Sequence, residues 1–122
     1  MPAKVVDASV MGALVFGEPR AREAAALLKD TDLHAPLLLA YELTSIARRK
    51  AMAYPEKAAA IRDALRMALA IPIHWSEVDH LATLRLSLDA NLTTYDACYF
   101  YLARKLGLPL ATFDQRLARA SL

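Results

Sequence analysis

Cysteine is nearly absent from this chain of 122 residues, which holds one, Cys98, and only three scattered histidines. One thiol cannot close an internal disulfide, and no Cys/His grouping has zinc-site spacing. Both observations argue against a stapled secreted fold and structural zinc, and a reducing cytoplasm is the expected location. Long apolar runs are missing too. None approaches the roughly 20 residues that cross a bilayer, and MPAKVVDAS lacks the charged-then-apolar plan of an export signal, so the chain is expected to be neither exported nor embedded. No internal repeat, low-complexity tract or linker divides it. The expectation is a single domain over residues 1–122, burying roughly two-thirds of the surface its unfolded chain exposes. Net charge is small: 15 basic against 13 acidic side chains gives +2, compatible with a nucleic-acid partner without requiring one. Apolar residues are plentiful, at 57% against 23% charged. So small a domain struggles to hide that much apolar surface, and a homodimer, a protein partner or both are expected.

The stretch Thr93 to Leu117, TTYDACYFYLARKLGLPLATFDQRL, concentrates the chemistry. Asp96 opens an expected helix with a broad apolar face, Gly107 ends it, and Leu108 to Thr112 reads as a short buried strand leading to Asp114. Earlier, Lys4 to Val6 reads as a buried strand running into Asp7 and a short helix. Glu18 and Pro19 are expected to start a second helix, and Leu33 to Ala35 forms a second strand. The run Leu37 to Lys50 reads as a helix with Glu42 on its apolar stripe beside Leu38, Leu39 and Ile46. Another helix is expected over Pro55 to Ala70. Ile71 to Trp75 then reads as a third strand, placed at an edge because Pro72 cannot donate to a ladder. Ser76 with Asp79 is expected to cap a helix reaching about Asp89, with Asn91 at its C-terminal turn. This alternation predicts an α/β fold: a parallel, doubly wound sheet with helices on both faces.

In such a sheet ligands bind beyond the carboxyl ends of the strands. Asp7 and Asp114 each end a strand at that rim, Glu42 rides the helix leaving the second strand, and Asp96 starts the helix feeding the fourth. All four are expected to converge on one edge. Each also has an ordinary structural use: Asp7 and Asp114 as helix caps, Asp96 with Thr93 as a capping pair, Glu42 as a partner for Arg49. No lysine or arginine is predicted at the same rim, since Lys4 begins its strand at the opposite one. Buried carboxylates without a counter-charge are costly, and hard oxygen ligands without paired Cys or His favour Mg²⁺ or Mn²⁺. Ser9 and Thr112 are expected to orient a water at the site or to satisfy local backbone. Arg48 and Arg49 read first as a solvated helix end, and together with Arg116 and Arg119, just beyond Asp114, are candidate contacts for nucleic-acid phosphates. Tyr95 can stack a base, whereas Tyr99, Phe100 and Tyr101 read as core or subunit contacts. An Asp after the first strand also suits a haloacid-dehalogenase type of phosphatase, but that chemistry wants a second acid where Ser9 stands.

Taken together, VVDASV at residues 5 to 10, YELTSIARRK at 41 to 50 and the Thr93–Leu117 block resemble a PIN domain, specifically a VapC-like toxin ribonuclease of a toxin–antitoxin system. The likeness covers nearly the whole chain, and its most specific part is the late block. It implies a PIN-like three-layer α/β/α sandwich with a short parallel sheet of about four to five strands. It further implies a metal-dependent endoribonuclease using Mg²⁺ or Mn²⁺, active as a homodimer and inhibited by a cognate antitoxin. The family's acidic quartet falls on Asp7, Glu42, Asp96 and Asp114, and its hydroxyl positions on Ser9 and Thr112. By resemblance Asp7, Asp96 and Asp114 ligate metal, Glu42 binds metal or orients water, and the products carry 5′-phosphate and 3′-hydroxyl ends. The alternative reading is a catalytically silent PIN-like module that binds nucleic acid or protein. One departure from the family pattern is visible: the family's short final strand after the last helix is not expected here, where the sequence stops at Ala120, Ser121 and Leu122 within that helix.

Overall fold

In the computed structural model, which describes residues 1–121, Val5 and Val6 are wholly buried in an inner strand of a four-stranded parallel sheet. The strands are β1 (Ala3–Val6), β2 (Asp32–Pro36), β3 (Ile73–Ser76) and β4 (Leu110–Ala111), in the spatial order β3-β2-β1-β4. Register pairs Lys4 with Leu33, and Leu33 with Ile73, while Val6 pairs with Ala111. From β1 the chain steps outward to β2 and β3, then crosses back to lay β4 on the other side of β1. The crevice between β1 and β4 is therefore the switch point of the sheet, where loops from adjacent strands part.

Seven α-helices cover the sheet among the described residues: α1 (Ala8–Val15), α2 (Ala21–Leu28), α3 (Leu38–Ala53), α4 (Ala58–Ala70), α5 (His80–Ala90), α6 (Thr94–Leu106) and α7 (Gln115–Ala120). One layer is made by α1 packed on α2, α3 and α4; the other has α5 against α6, with α6 lying on β1 and β2. The expected three-layer α/β/α sandwich is thus the observed one. Its core joins Leu39 and Leu43 of α3, Leu102 of α6, Leu117 of α7 and Met11 of α1, all almost completely buried. Each such side chain stabilises the fold by about 1.5–3 kcal/mol relative to exposure. At the rim opposite the candidate acids, Lys4 Nζ donates to Leu27 O at 2.7 Å, so the cation of β1 serves the C-terminal carbonyls of α2.

Several boundaries differ from the sequence reading, each for a local reason. Helix α2 starts at Ala21, because Pro19 and Arg20 form the turn ahead of it. Strand β2 extends through Pro36, consistent with the extended conformation of the chain before a proline, and α3 begins at Leu38. Pro55 nucleates a 3-10 turn, Pro55–Lys57, from which α4 departs. Strand β3 is an edge strand as expected, yet Pro72 lies outside it. Ser76 ends that strand, and Asp79 alone caps α5 through Ala82 N at 3.0 Å. Strand β4 is only two residues long. Asn91 does adopt the left-handed turn, at φ 53°, and Gly107 ends α6 at φ 66°, a region where a Cβ is penalised. Leu122 of the expected single domain lies outside the described residues.

Candidate active site

Asp7 directly follows β1, and its carboxylate is the most enclosed polar group at the switch point, 5% exposed. The capping use is real: Asp7 Oδ1 accepts from Val10 N at 3.2 Å and so starts α1. Ser9 Oγ donates to the same oxygen at 2.6 Å, and Thr112 Oγ1 donates to Oδ2. Those hydroxyls work in two directions. Ser9 Oγ accepts from Phe113 N at 2.9 Å, and Thr112 Oγ1 accepts from Asp114 N at 3.0 Å. The reading of Ser9 and Thr112 as partners of local backbone is the one seen, and through these hydroxyls the backbone after β4 is fastened to the acid after β1. A carboxylate offers about four acceptor positions, of which three are taken, leaving one on Oδ2.

Asp114 caps α7, accepting from Leu117 N at 2.8 Å through Oδ1, and its side chain is exposed. Asp96 sits in the first turn of α6, where Thr93 Oγ1 is the cap and accepts from Asp96 N at 3.0 Å. Glu42 faces the rim from α3, but the expected pairing with Arg49 is not found. Its partner is Tyr99, whose hydroxyl donates to Glu42 Oε1. Sequence reasoning placed Tyr99 in the core. That is correct for its ring and missed its oxygen; the available signal was its position three residues after Asp96, on the same helix face.

The carboxyls of Asp7, Glu42 and Asp96 all lie above their ordinary pKa values. For Asp7 burial is the main cause, opposed by the hydrogen bonds from Ser9, Thr112 and Val10. Glu42 is raised by burial and by the charges of Asp96 and Asp7, against the Tyr99 bond. Asp96 is raised by burial and by Asp114 and Asp7, with Thr93 and Arg116 pulling the other way. Burial and the Glu42 charge also raise the Cys98 thiol and push the Tyr99 hydroxyl far up, so Tyr99 is a neutral donor at any working pH. Asp7 and Asp96 thus lie near enough to act on Glu42, and Asp7 and Asp114 near enough to act on Asp96. Yet no three carboxylates among the described residues are close enough to form a ready-made metal cage.

None of the four acids is in an ion pair among the described residues, whose salt bridges involve other groups. An all-oxygen, uncompensated and loosely assembled set fits Mg²⁺ or Mn²⁺. Mg²⁺ characteristically keeps several waters and binds through one or two carboxylates plus substrate phosphates rather than a dedicated cage.

Beside Ser9 and Glu42 opens a cleft of about 510 Å³ that runs along α3 past Ser45 and Ile46 to Arg49 and Lys50. Glu18 joins its wall, with Lys50 Nζ 3.9 Å from Glu18 Oε1. Of the basic candidates, Arg49 thus borders the acid site, whereas Arg48 does not line this cleft. Arg116 acts on Asp96 through its charge, and Arg119 is exposed on α7. A second groove, about 530 Å³, is lined in part by Leu37, Tyr41, Leu84, Tyr95 and Cys98. Above the turn after β4, the Arg20 guanidinium stacks 3.7 Å from the centre of the Phe113 ring.

The PIN domain family matches residues 4–121. This chain is a PIN domain. Among its relatives, ribonuclease VapC3 of Pyrobaculum aerophilum is 35% identical over 122 residues, covering 93% of this chain and 91% of that protein. Ribonuclease VapC1 of Mycobacterium tuberculosis is 37% identical over 120 residues, covering 95% and 89%. The crystal structure of PAE2754 from Pyrobaculum aerophilum superposes with a TM-score of 0.80 at 26% identity, over 98% of this PIN domain and 80% of that chain. VapC20 of Mycobacterium tuberculosis, described as a sarcin-ricin loop cleaving toxin, shares the fold with a TM-score of 0.72 at 20% identity, covering 97% and 95%. The resemblance carried by VVDASV, YELTSIARRK and the Thr93–Leu117 block is borne out, and the PIN domain belongs with the VapC ribonucleases.

Proposed function

We propose that this PIN domain is a VapC-type toxin: an endoribonuclease that hydrolyses RNA phosphodiester bonds at the rim formed by Asp7, Glu42, Asp96 and Asp114. The observation that carries the proposal is the set of three carboxyls with raised pKa values around the β1–β4 switch point, none of them in a salt bridge among the described residues, in a chain of this family. Asp7, Asp96, Asp114 and Glu42 are the residues suited to hold Mg²⁺ or Mn²⁺. When bound, such an ion supplies Lewis-acid charge and an activated water for in-line displacement at phosphorus.

The protein's own groups do the positioning. Ser9 and Thr112 hold both oxygens of Asp7, so that this carboxylate cannot rotate away. Arg49 and Lys50 line the adjoining cleft where flanking phosphates of a single-stranded RNA would run. Arg116 and Arg119, beyond Asp114, suit the strand on the far side. Products would carry 5′-phosphate and 3′-hydroxyl ends.

Two protein partners complete the proposal. A second copy of the chain would cover the apolar stripe of α5, where Leu81 and Leu88 are 81% and 73% exposed. A cognate antitoxin would inhibit the enzyme by crossing the groove and offering a basic side chain to the acids. No described helix is long and apolar enough to cross a membrane; a cytoplasmic location is part of the proposal, in keeping with the lone thiol.

Incubating the chain with single-stranded and structured RNAs in Mg²⁺ or Mn²⁺, with chelator and Asp7→Asn controls, tests this reading. Cleavage is expected only with the metal and the native Asp7; cleavage surviving both controls would point to a contaminant. The presence of all four acids in the sequence argues against a silent binding module, which would gain if divalent ions gave no thermal stabilisation.

A further inference from the structure

We propose that Tyr99 is a positioning residue for Glu42, fixing that carboxylate for cation binding and RNA cleavage. The inference rests on the divalent-cation reading of the acidic rim. Tyr99 is 1% exposed, and its hydroxyl donates to Glu42 Oε1; it makes no other hydrogen bond among the described residues. The ring alone is enough for packing among Leu102 and its neighbours, a task phenylalanine would perform without bringing a polar atom into the core. Here the oxygen is instead spent on an acid at the rim.

The placement joins the two helices that carry the inner acids. Asp96 and Tyr99 are one turn apart on α6, so the same face presents one carboxylate and the hydroxyl that holds the carboxylate of α3. Glu42 has three torsions and no salt bridge, and an unanchored side chain of that length loses rotamer freedom when it ligates an ion. Tyr99 removes that cost from the binding step by occupying Oε1 beforehand and leaving Oε2 for the cation. Hydroxyl and carboxylate partners of metal-ligating groups orient their ligands, and losing one typically costs 10–100-fold in affinity or activity.

The test is a double-mutant cycle on the full chain with Tyr99→Phe, Glu42→Gln and the pair, read by Mn²⁺ calorimetry and by RNA cleavage. Tyr99→Phe is expected to weaken Mn²⁺ binding and lower kcat by about 10–100-fold each, and to add nothing in the Glu42→Gln background. A Tyr99→Phe chain equal to wild type overturns the inference, as does one that loses the same factor again alongside Glu42→Gln, since that loss would be general packing. If Tyr99→Phe fails to fold, Glu42→Asp carries the test: its shorter carboxylate leaves the hydroxyl's reach with charge retained. It should reproduce the loss, and wild-type behaviour would overturn the link. A wild-type chain that neither binds Mn²⁺ nor cleaves RNA sinks the site itself, and the role of Tyr99 with it, which separates the two failures.

Discussion

Thr112 and Asp7 are 105 positions apart in the chain and joined by one hydrogen bond, from the threonine hydroxyl to Asp7 Oδ2. The same hydroxyl accepts from Asp114 N, so a single side chain sets the distance between the acids that end β1 and β4. Thr112→Ala deletes both interactions. A hydrogen bond to a charged group contributes about 1.5–3 kcal/mol, and the loss is expected to approach that range, visible as a lower denaturant midpoint. Thr112→Ser should restore most of it, and an Ala variant as stable as wild type would show that the bond does not hold the crevice.

The raised pKa values of Asp7, Glu42 and Asp96 have a definite consequence for stability against pH. A carboxyl raised on folding binds its proton more tightly in the native state, so its contribution is full below the unfolded value and fades as pH rises through the native one. In metal-free buffer these three groups therefore favour the fold most below their ordinary values of about pH 4, and progressively less as pH rises toward neutrality. Asp96→Asn should flatten this slope and raise the melting temperature at neutral pH. Saturating Mg²⁺ or Mn²⁺ should reverse it, because an ion bound to the native state stabilises by mass action and competes with protons. Thermal melts across this range, with and without metal, read both effects.

Arg49 and Arg48 are neighbours in sequence and differ in place, since only Arg49 lines the cleft beside Ser9 and Glu42. Arg49→Ala is expected to weaken RNA binding and to reduce the slope of log affinity against log salt by about one unit or slightly less. Arg48→Ala should change either much less. Equal effects from the two variants would mean that the chain carries a diffuse basic surface and no track along the cleft.

Leu81, Leu84 and Leu88 follow the helical spacing along α5 and are all exposed in the isolated chain. Leu81→Glu with Leu88→Glu puts two charges on that stripe and should convert a dimer to monomer in sedimentation, at unchanged monomer stability. Persistence of the dimer would move the contact to another face.

The fold class and the candidate acids were legible in the sequence because their signals are local. A short apolar strand running into Asp7, a glycine stop at Gly107 and an acid on an apolar helix stripe are each readable within a few residues. The strand order was only partly legible, since placing β4 beside β1 depends on a pairing of Val5 with Leu110 that no window contains. The partner of Glu42 was not legible for the same reason. Arg49, two turns along the same helix, was one local alternative, whereas Tyr99 is 57 positions away and reaches it through the fold. Proline positions were read too literally: Pro19 and Pro72 each lie just outside the element they were taken to shape.

The clamp between Asp7 and Thr112 also bears on when, during the life of the chain, the site comes into being. Synthesis delivers β1 long before β4, and the pairing of Val5 with Leu110 closes one of the longest loops in the molecule, a slow step for any chain. Until that closure, Asp7 keeps its local partner Ser9 but lacks the Thr112 hydroxyl on Oδ2, and the crevice lacks its Asp114 wall. The four acids of the rim can therefore come together only after the last strand has been made and has paired with the first.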